Sequence, residues 1–281
     1  MLGAPVLPAA TMGGPDVDFD ISKTAGSYAQ MASVFTGFAF LAMTIVLSRG
    51  DSNPRTKFTP RQLDQDKRTV IALLCAFTGL LIATVEYSIV TGESNHALVE
   101  GRAASEELLA AVGFTVSMYI LLYALVHLIA TSSLKLGTEF RLLVTVFLPP
   151  IFIYFVTNGL MDVAIALGQP TPPLEPMWST ARTASIGLAV WTLLVCGLLW
   201  NSSRKLRRER GELPRYIIKD APPYVTLATT IIATMYAAQI SDVNPAARVS
   251  EYAAWSWVAI ATAVLIYVSA SLSREPGAEL P

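Results

Sequence analysis

Glu86 and Asp162 are carboxylic acids set inside long apolar runs of a 281-residue chain, and this placement carries chemical meaning. A charge held at the centre of a bilayer costs about 2.5 to 3.5 kcal/mol on insertion scales, so such a group turns towards a bundle interior or a wet cavity. There it can act as a Brønsted acid on a bound lipid, or carry a proton, when a partner lies within hydrogen-bond reach. Other polar residues fall at similar depth. Glu106 and Glu107 open the third apolar run, Arg182 opens the fifth, Gln239 and Asp242 close the sixth and Glu251 begins the seventh. Asn158, four residues before Asp162, belongs to the same helix face.

One polar pocket in the outer third of the bilayer is the expectation from this pattern. Glu86 and Asp162 are its candidate catalytic acids, and Glu107, Asn158, Arg182, Gln239 and Asp242 its candidate substrate-binding residues. Arg182 would pair with one of the acids or hold an anionic head group. Near a helix end, Glu106, Glu107, Arg182, Asp242 and Glu251 can also snorkel or cap without touching a ligand.

The elements that position these groups are apolar runs long enough to cross a bilayer. Seven are expected, with approximate limits 26 to 48, 69 to 91, 107 to 130, 141 to 168, 179 to 200, 222 to 241 and 250 to 272. Alternation at strand period is absent and every span must satisfy its own backbone, so the class is all-α, a seven-transmembrane-helix bundle. Residues 1–25 are expected to form a flexible external arm, 26–272 the membrane domain and 273–281 a short tail. With 53% of residues hydrophobic, little chain is left for a soluble domain.

Sixteen of the twenty basic residues fall in alternate connections or after the last span, and only Lys23, Arg102, Arg182 and Arg248 lie on the opposite side. This asymmetry predicts an external N-terminus and a cytoplasmic C-terminus in a multi-pass protein of the cell membrane. The basic tract 202–219 lies directly below a span, where anionic lipid is its partner and nucleic acid is not. Oligomeric state is not legible.

Several punctuation signals support the limits. Pro222 and Pro223 suit a first helical turn, Ser250 can cap the last helix, and Trp178 and Trp200 flank the fifth span. Pro149 and Pro150 remove two consecutive backbone donors, which predicts a kink in the fourth span. Gly37, Gly79, Gly113, Gly159 and Gly187 are read as sites of close helix approach.

No cofactor or metal is expected. His96 and His127 are far apart and make no metal constellation, and Cys75 and Cys196 read as packing residues within spans. The seventh span, SEYAAWSWVAIATAVLIYVSASL, has no lysine of the kind that attaches retinal in microbial rhodopsins.

A small helical bundle with acids and aromatics towards one face resembles the membrane-bound terpene cyclases in general plan. That resemblance implies carboxyl groups, here Glu86 and Asp162, that start cyclisation by protonation. Tyr87, Tyr154, Trp255 and Trp257 would then stabilise cationic intermediates. An integral-membrane enzyme acting on an isoprenoid or other lipophilic substrate is therefore the leading expectation. A proton-coupled transporter using the same carboxylates, and a noncatalytic scaffold engaging a partner through its basic loops, are the alternatives.

Overall fold

The computed structural model describes residues 21–51, 60–92, 101–130, 137–168, 175–206, 220–243 and 249–274. All of its regular structure is helical: α1 (Ile21–Asp51), α2 (Pro60–Gly92), α3 (Arg102–Ala130), α4 (137–168), α5 (Glu175–Leu206), α6 (Pro222–Val243) and α7 (Glu251–Arg274). Every helix except α6 is long and apolar enough to cross a membrane, which makes the chain a multi-pass membrane protein. The expected arm is partly helical, since α1 begins at Ile21. Residues 1–20 lie outside the described residues.

Helix α3 is the axis of the bundle. Of its most apolar stretch 83% is buried, against 28% for α1 and 22% for α5. Helices α2, α4, α6 and α7 pack around it, α1 lies against α2, and α5 lies against α4 and α7. An apolar helix buried on all sides is what a bundle core requires, and only the helices outside it need a lipid-facing stripe.

Small residues set the closest approaches. Ala25, Ala32, Ala39 and Val46 recur every seven residues on α1 and are all buried, so the face that meets α2 carries almost no side-chain bulk. On α2, a Cβ at Gly79 would come within 2.1 Å of Ser117 Oγ on α3. On α4, a Cβ at Gly159 would come within 3.1 Å of the Leu108 backbone. Gly37 and Gly187 differ from the expectation, because a Cβ at either would meet nothing within 4 Å. They face outward, where lipid rather than a neighbouring helix sets the limit.

The double proline of α4 is resolved by a change of helical register. A π-helical turn, Leu143–Phe147, separates Gly137–Leu142 from Leu148–Gly168, and the Leu148 N–H bonds to Leu143 O. Val144 O thereby loses the donor it would have in an α-helix, and its π-register donor would be Pro149, which has no N–H. Tyr119 of α3 fills the gap by donating its hydroxyl proton to Val144 O at 2.9 Å. Ser269 Oγ of α7 lies 2.6 Å from the same phenolic oxygen, so one tyrosine ties α4 to the axis and to α7.

The expected helix starts are present. Pro222 and Pro223 form the first residues of α6, and Ser250 Oγ accepts the Ala253 N–H at 3.3 Å ahead of α7. Trp200 is buried, and the Trp178 side chain lies outside the described residues. Cys75 and Cys196 are free and buried, and His127 packs its ring edge-on to Tyr123 at 4.5 Å.

Candidate functional site: a carboxyl cluster at one end of the bundle

Glu106 and Glu107 are consecutive on α3, so their side chains leave the helix about 100° apart and reach different neighbours. Glu106 faces α6, where Ser241 Oγ donates to its Oε1, and Arg102 Nε one turn earlier stands 3.9 Å from the same oxygen. Glu107 faces α4, where its carboxyl meets that of Asp162 at hydrogen-bonding range. A hydrogen bond between two carboxyl groups exists only while at least one holds a proton. The contact thus requires a proton to be held between α3 and α4.

Glu86 comes from the last third of α2 and is 7% exposed. Space for it is made by α3: a Cβ at Gly113 would lie 3.4 Å from its Oε2. Glu106 lies within electrostatic reach of it and Thr234 of α6 lies beside it. The Thr234 hydroxyl already donates to Thr230 O at 2.9 Å, however, and neither oxygen of Glu86 has a hydrogen-bond partner among the described residues.

The two expected catalytic acids thus belong to adjoining groups. Glu86 sits with Glu106, Thr234 and Ser241, and Asp162 sits with Glu107. Tyr87 lies within electrostatic reach of both Glu86 and Glu107. It is fully buried, and its hydroxyl has no partner among the described residues. Tyr28 of α1 lies within electrostatic reach of Glu107 and Asp162.

A closed circuit of four aromatic rings backs the carboxyls. Ring centroids are 5.4 Å apart for Tyr28 and Tyr87, 6.3 Å for Tyr87 and Phe114, 5.7 Å for Phe114 and Phe155, and 5.0 Å for Phe155 and Tyr28. Each ring comes from a different helix, α1 to α4, and the Tyr28–Phe155 and Tyr87–Phe114 contacts are edge-to-face. Of the aromatics expected to matter, only Tyr87 belongs to this circuit. Tyr154 is exposed, while Trp257 packs on Tyr236 at 5.9 Å, and Trp255 is half-buried beside α5.

The remaining candidates are not gathered. Asn158, Arg182 and Gln239 are exposed on the outer faces of their helices, and Glu251 is exposed in the first turn of α7. The Asp242 side chain lies outside the described residues. Residues four apart on a helix differ by about 40° in direction, and this is enough to leave Asn158 outside while Asp162 turns in. Tyr28, Phe114 and Phe155 escaped the sequence reading because aromatics in apolar runs carry no positional signal of their own.

Among the described residues no group of three or more His, Cys, Asp or Glu side chains is arranged to hold a metal ion. At the opposite end of the bundle, a cleft of about 220 Å³ is lined by Asp64, Lys67, Arg68, Tyr123, Asp220 and Tyr224. Arg68 spans its rim, 2.9 Å from Asp64 and 3.0 Å from Asp220, joining α2 to the start of α6.

No family model, curated protein or solved structure matches the chain.

Proposed function

We propose that the chain is a cell-membrane protein of seven spans, with its N-terminus outside and its C-terminus in the cytoplasm, that performs carboxyl-group acid–base chemistry on a lipophilic, isoprenoid-like substrate. Helix α6 is the seventh span in this reading. Its 22 residues extend about 33 Å, enough for a hydrocarbon core of about 30 Å. The polarity of α6 comes largely from threonines whose hydroxyls return to their own helix: Thr226 to Pro223 O, Thr229 to Val225 O and Thr234 to Thr230 O. Such side chains cost little in lipid. The basic-residue asymmetry supports the orientation.

The observation that carries the chemical reading is the Glu107–Asp162 carboxyl pair set against the ring circuit. A shared proton is the reagent for protonating an alkene or epoxide, and π-faces stabilise positive charge that develops nearby. The acids also cluster at one end of the bundle, which suits attack on a substrate drawn from one leaflet better than a relay across the membrane.

The reading is tested by offering extracted isoprenoid lipids to the purified protein in nanodiscs. A product absent with Asp162→Asn and Glu107→Gln, both still monodisperse, is the expected result. Flux of an unaltered solute into sealed vesicles, without product, would make the protein a transporter instead.

A further inference from the structure

The oxygens left without partners in the carboxyl cluster are acceptors, and this specifies what they would bind. Glu86 offers both carboxyl oxygens and Glu107 offers Oε2, in side chains only 7% and 4% exposed. The fully buried Tyr87 hydroxyl, itself without a partner among the described residues, is within electrostatic reach of both carboxyl groups. Such groups lose water on burial and gain nothing back unless a donor reaches them. Ionised Glu86 can only accept, and so can Glu107 while the proton of its pair sits on Asp162, so in that state the missing partner donates.

Charge and shape narrow the class. Glu86, Glu106 and the Glu107–Asp162 pair, which holds at least one proton between its two acids, carry up to three negative charges, and among the described residues Arg102 stands by Glu106. A neutral donor would satisfy the geometry and leave the acid surplus uncompensated. An ammonium group supplies up to three N–H donors and a positive charge together. The adjoining circuit of Tyr28, Tyr87, Phe114 and Phe155 is a surface on which a cation is attracted to π-faces. An apolar tail on the same molecule would remain in the hydrocarbon that surrounds the helices.

We infer that the carboxyl cluster binds lipophilic amines in their protonated form, with the ammonium group held by Glu86 and Glu107 against the four-ring circuit. The inference rests on the cluster being the functional site, and it names a ligand class for that site. If the site also handles a cationic reaction intermediate, an amine of matching tail imitates it in charge and competes with substrate.

The test is saturable binding of labelled dodecylammonium to the protein in nanodiscs of neutral lipid, with dodecanol and dodecanoate as competitors. Binding that neither competitor displaces, and that weakens by about tenfold or more in Glu86→Gln and in Glu107→Gln, is expected from the loss of a charge-assisted hydrogen bond. Tyr87→Phe, which keeps the ring, is expected to weaken it less than either. Equal displacement by dodecanol, or unchanged affinity in both carboxyl variants with intact folding by circular dichroism, overturns the inference. Loss of isoprenoid turnover in Asp162→Asn without dodecylammonium binding would sink the amine site alone. Specific binding with no turnover of any isoprenoid would sink the proposed enzymatic activity and leave the amine site standing.

Discussion

Glu106 and Glu107, neighbours in sequence, serve two different helix contacts: the first takes the Ser241 hydroxyl of α6, the second meets Asp162 of α4. One turn of the central helix therefore links both halves of the carboxyl cluster. Exchanging either acid affects one contact directly and the other through the position of α3.

The Glu107–Asp162 contact should be energetically coupled. Glu107→Ala is expected to destabilise the protein by ~1–3 kcal/mol, because it leaves the half-buried Asp162 without its partner. In a double-mutant cycle with Asp162→Ala the coupling should be about 0.5–3 kcal/mol, read from unfolding in mixed micelles. Additive losses would mean that the two carboxyls do not interact.

Tyr119→Phe should cost ~1–3 kcal/mol, since Val144 O has no backbone donor to replace the phenol. The effect depends on Pro149. In a Pro149→Ala background a backbone N–H is restored, so the same tyrosine substitution should cost measurably less, and denaturation curves of the four proteins would reveal it.

Glycine substitutions should divide by position. Gly79→Ala places a methyl 2.1 Å from Ser117 Oγ and forces that side chain away from Thr230, 3.1 Å distant, at an expected cost of about 1–3 kcal/mol. Gly37→Ala and Gly187→Ala meet open space, and each should be neutral or stabilising by up to about 1 kcal/mol. Thermal inactivation midpoints of the three variants provide the comparison.

Topology is open to chemical labelling. With the native cysteines buried, single cysteines at Asn95 and Ser52 should react differently with a membrane-impermeant maleimide applied to intact cells. Labelling at position 95 and protection at position 52 is the outcome the proposed orientation requires. The reverse pattern would invert it.

Much of this architecture was legible in the apolar runs. Their lengths locate the helices because backbone groups in lipid leave few alternatives, and Ser250, Pro222 and Pro223 mark helix starts through local chemistry that needs no tertiary partner. The placement of Glu86, Glu107 and Asp162 towards one end of their helices was equally readable. Their pairing was not: periodicity fixes angles within a helix but says nothing about how each helix is turned against the next. Asn158, Arg182 and Gln239 face outward, whereas Tyr28 and Phe155 meet across α1 and α4 without any sequence signal. The response to Pro149 was half-visible. A disturbed hydrogen-bond ladder follows from proline chemistry, but the π-turn and its rescue by Tyr119 depend on a neighbour distant in the chain.

The confinement of the acids to one end of the bundle has an electrical consequence. Glu86, Glu107 and Asp162 each lie within two helical turns of the same end, so an ion or proton moving between them and the adjoining water traverses only a small part of the transmembrane field. In the proposed cell-membrane orientation, the resting voltage would perform little work on that exchange, and occupancy of the proposed site would follow the composition of a single aqueous phase.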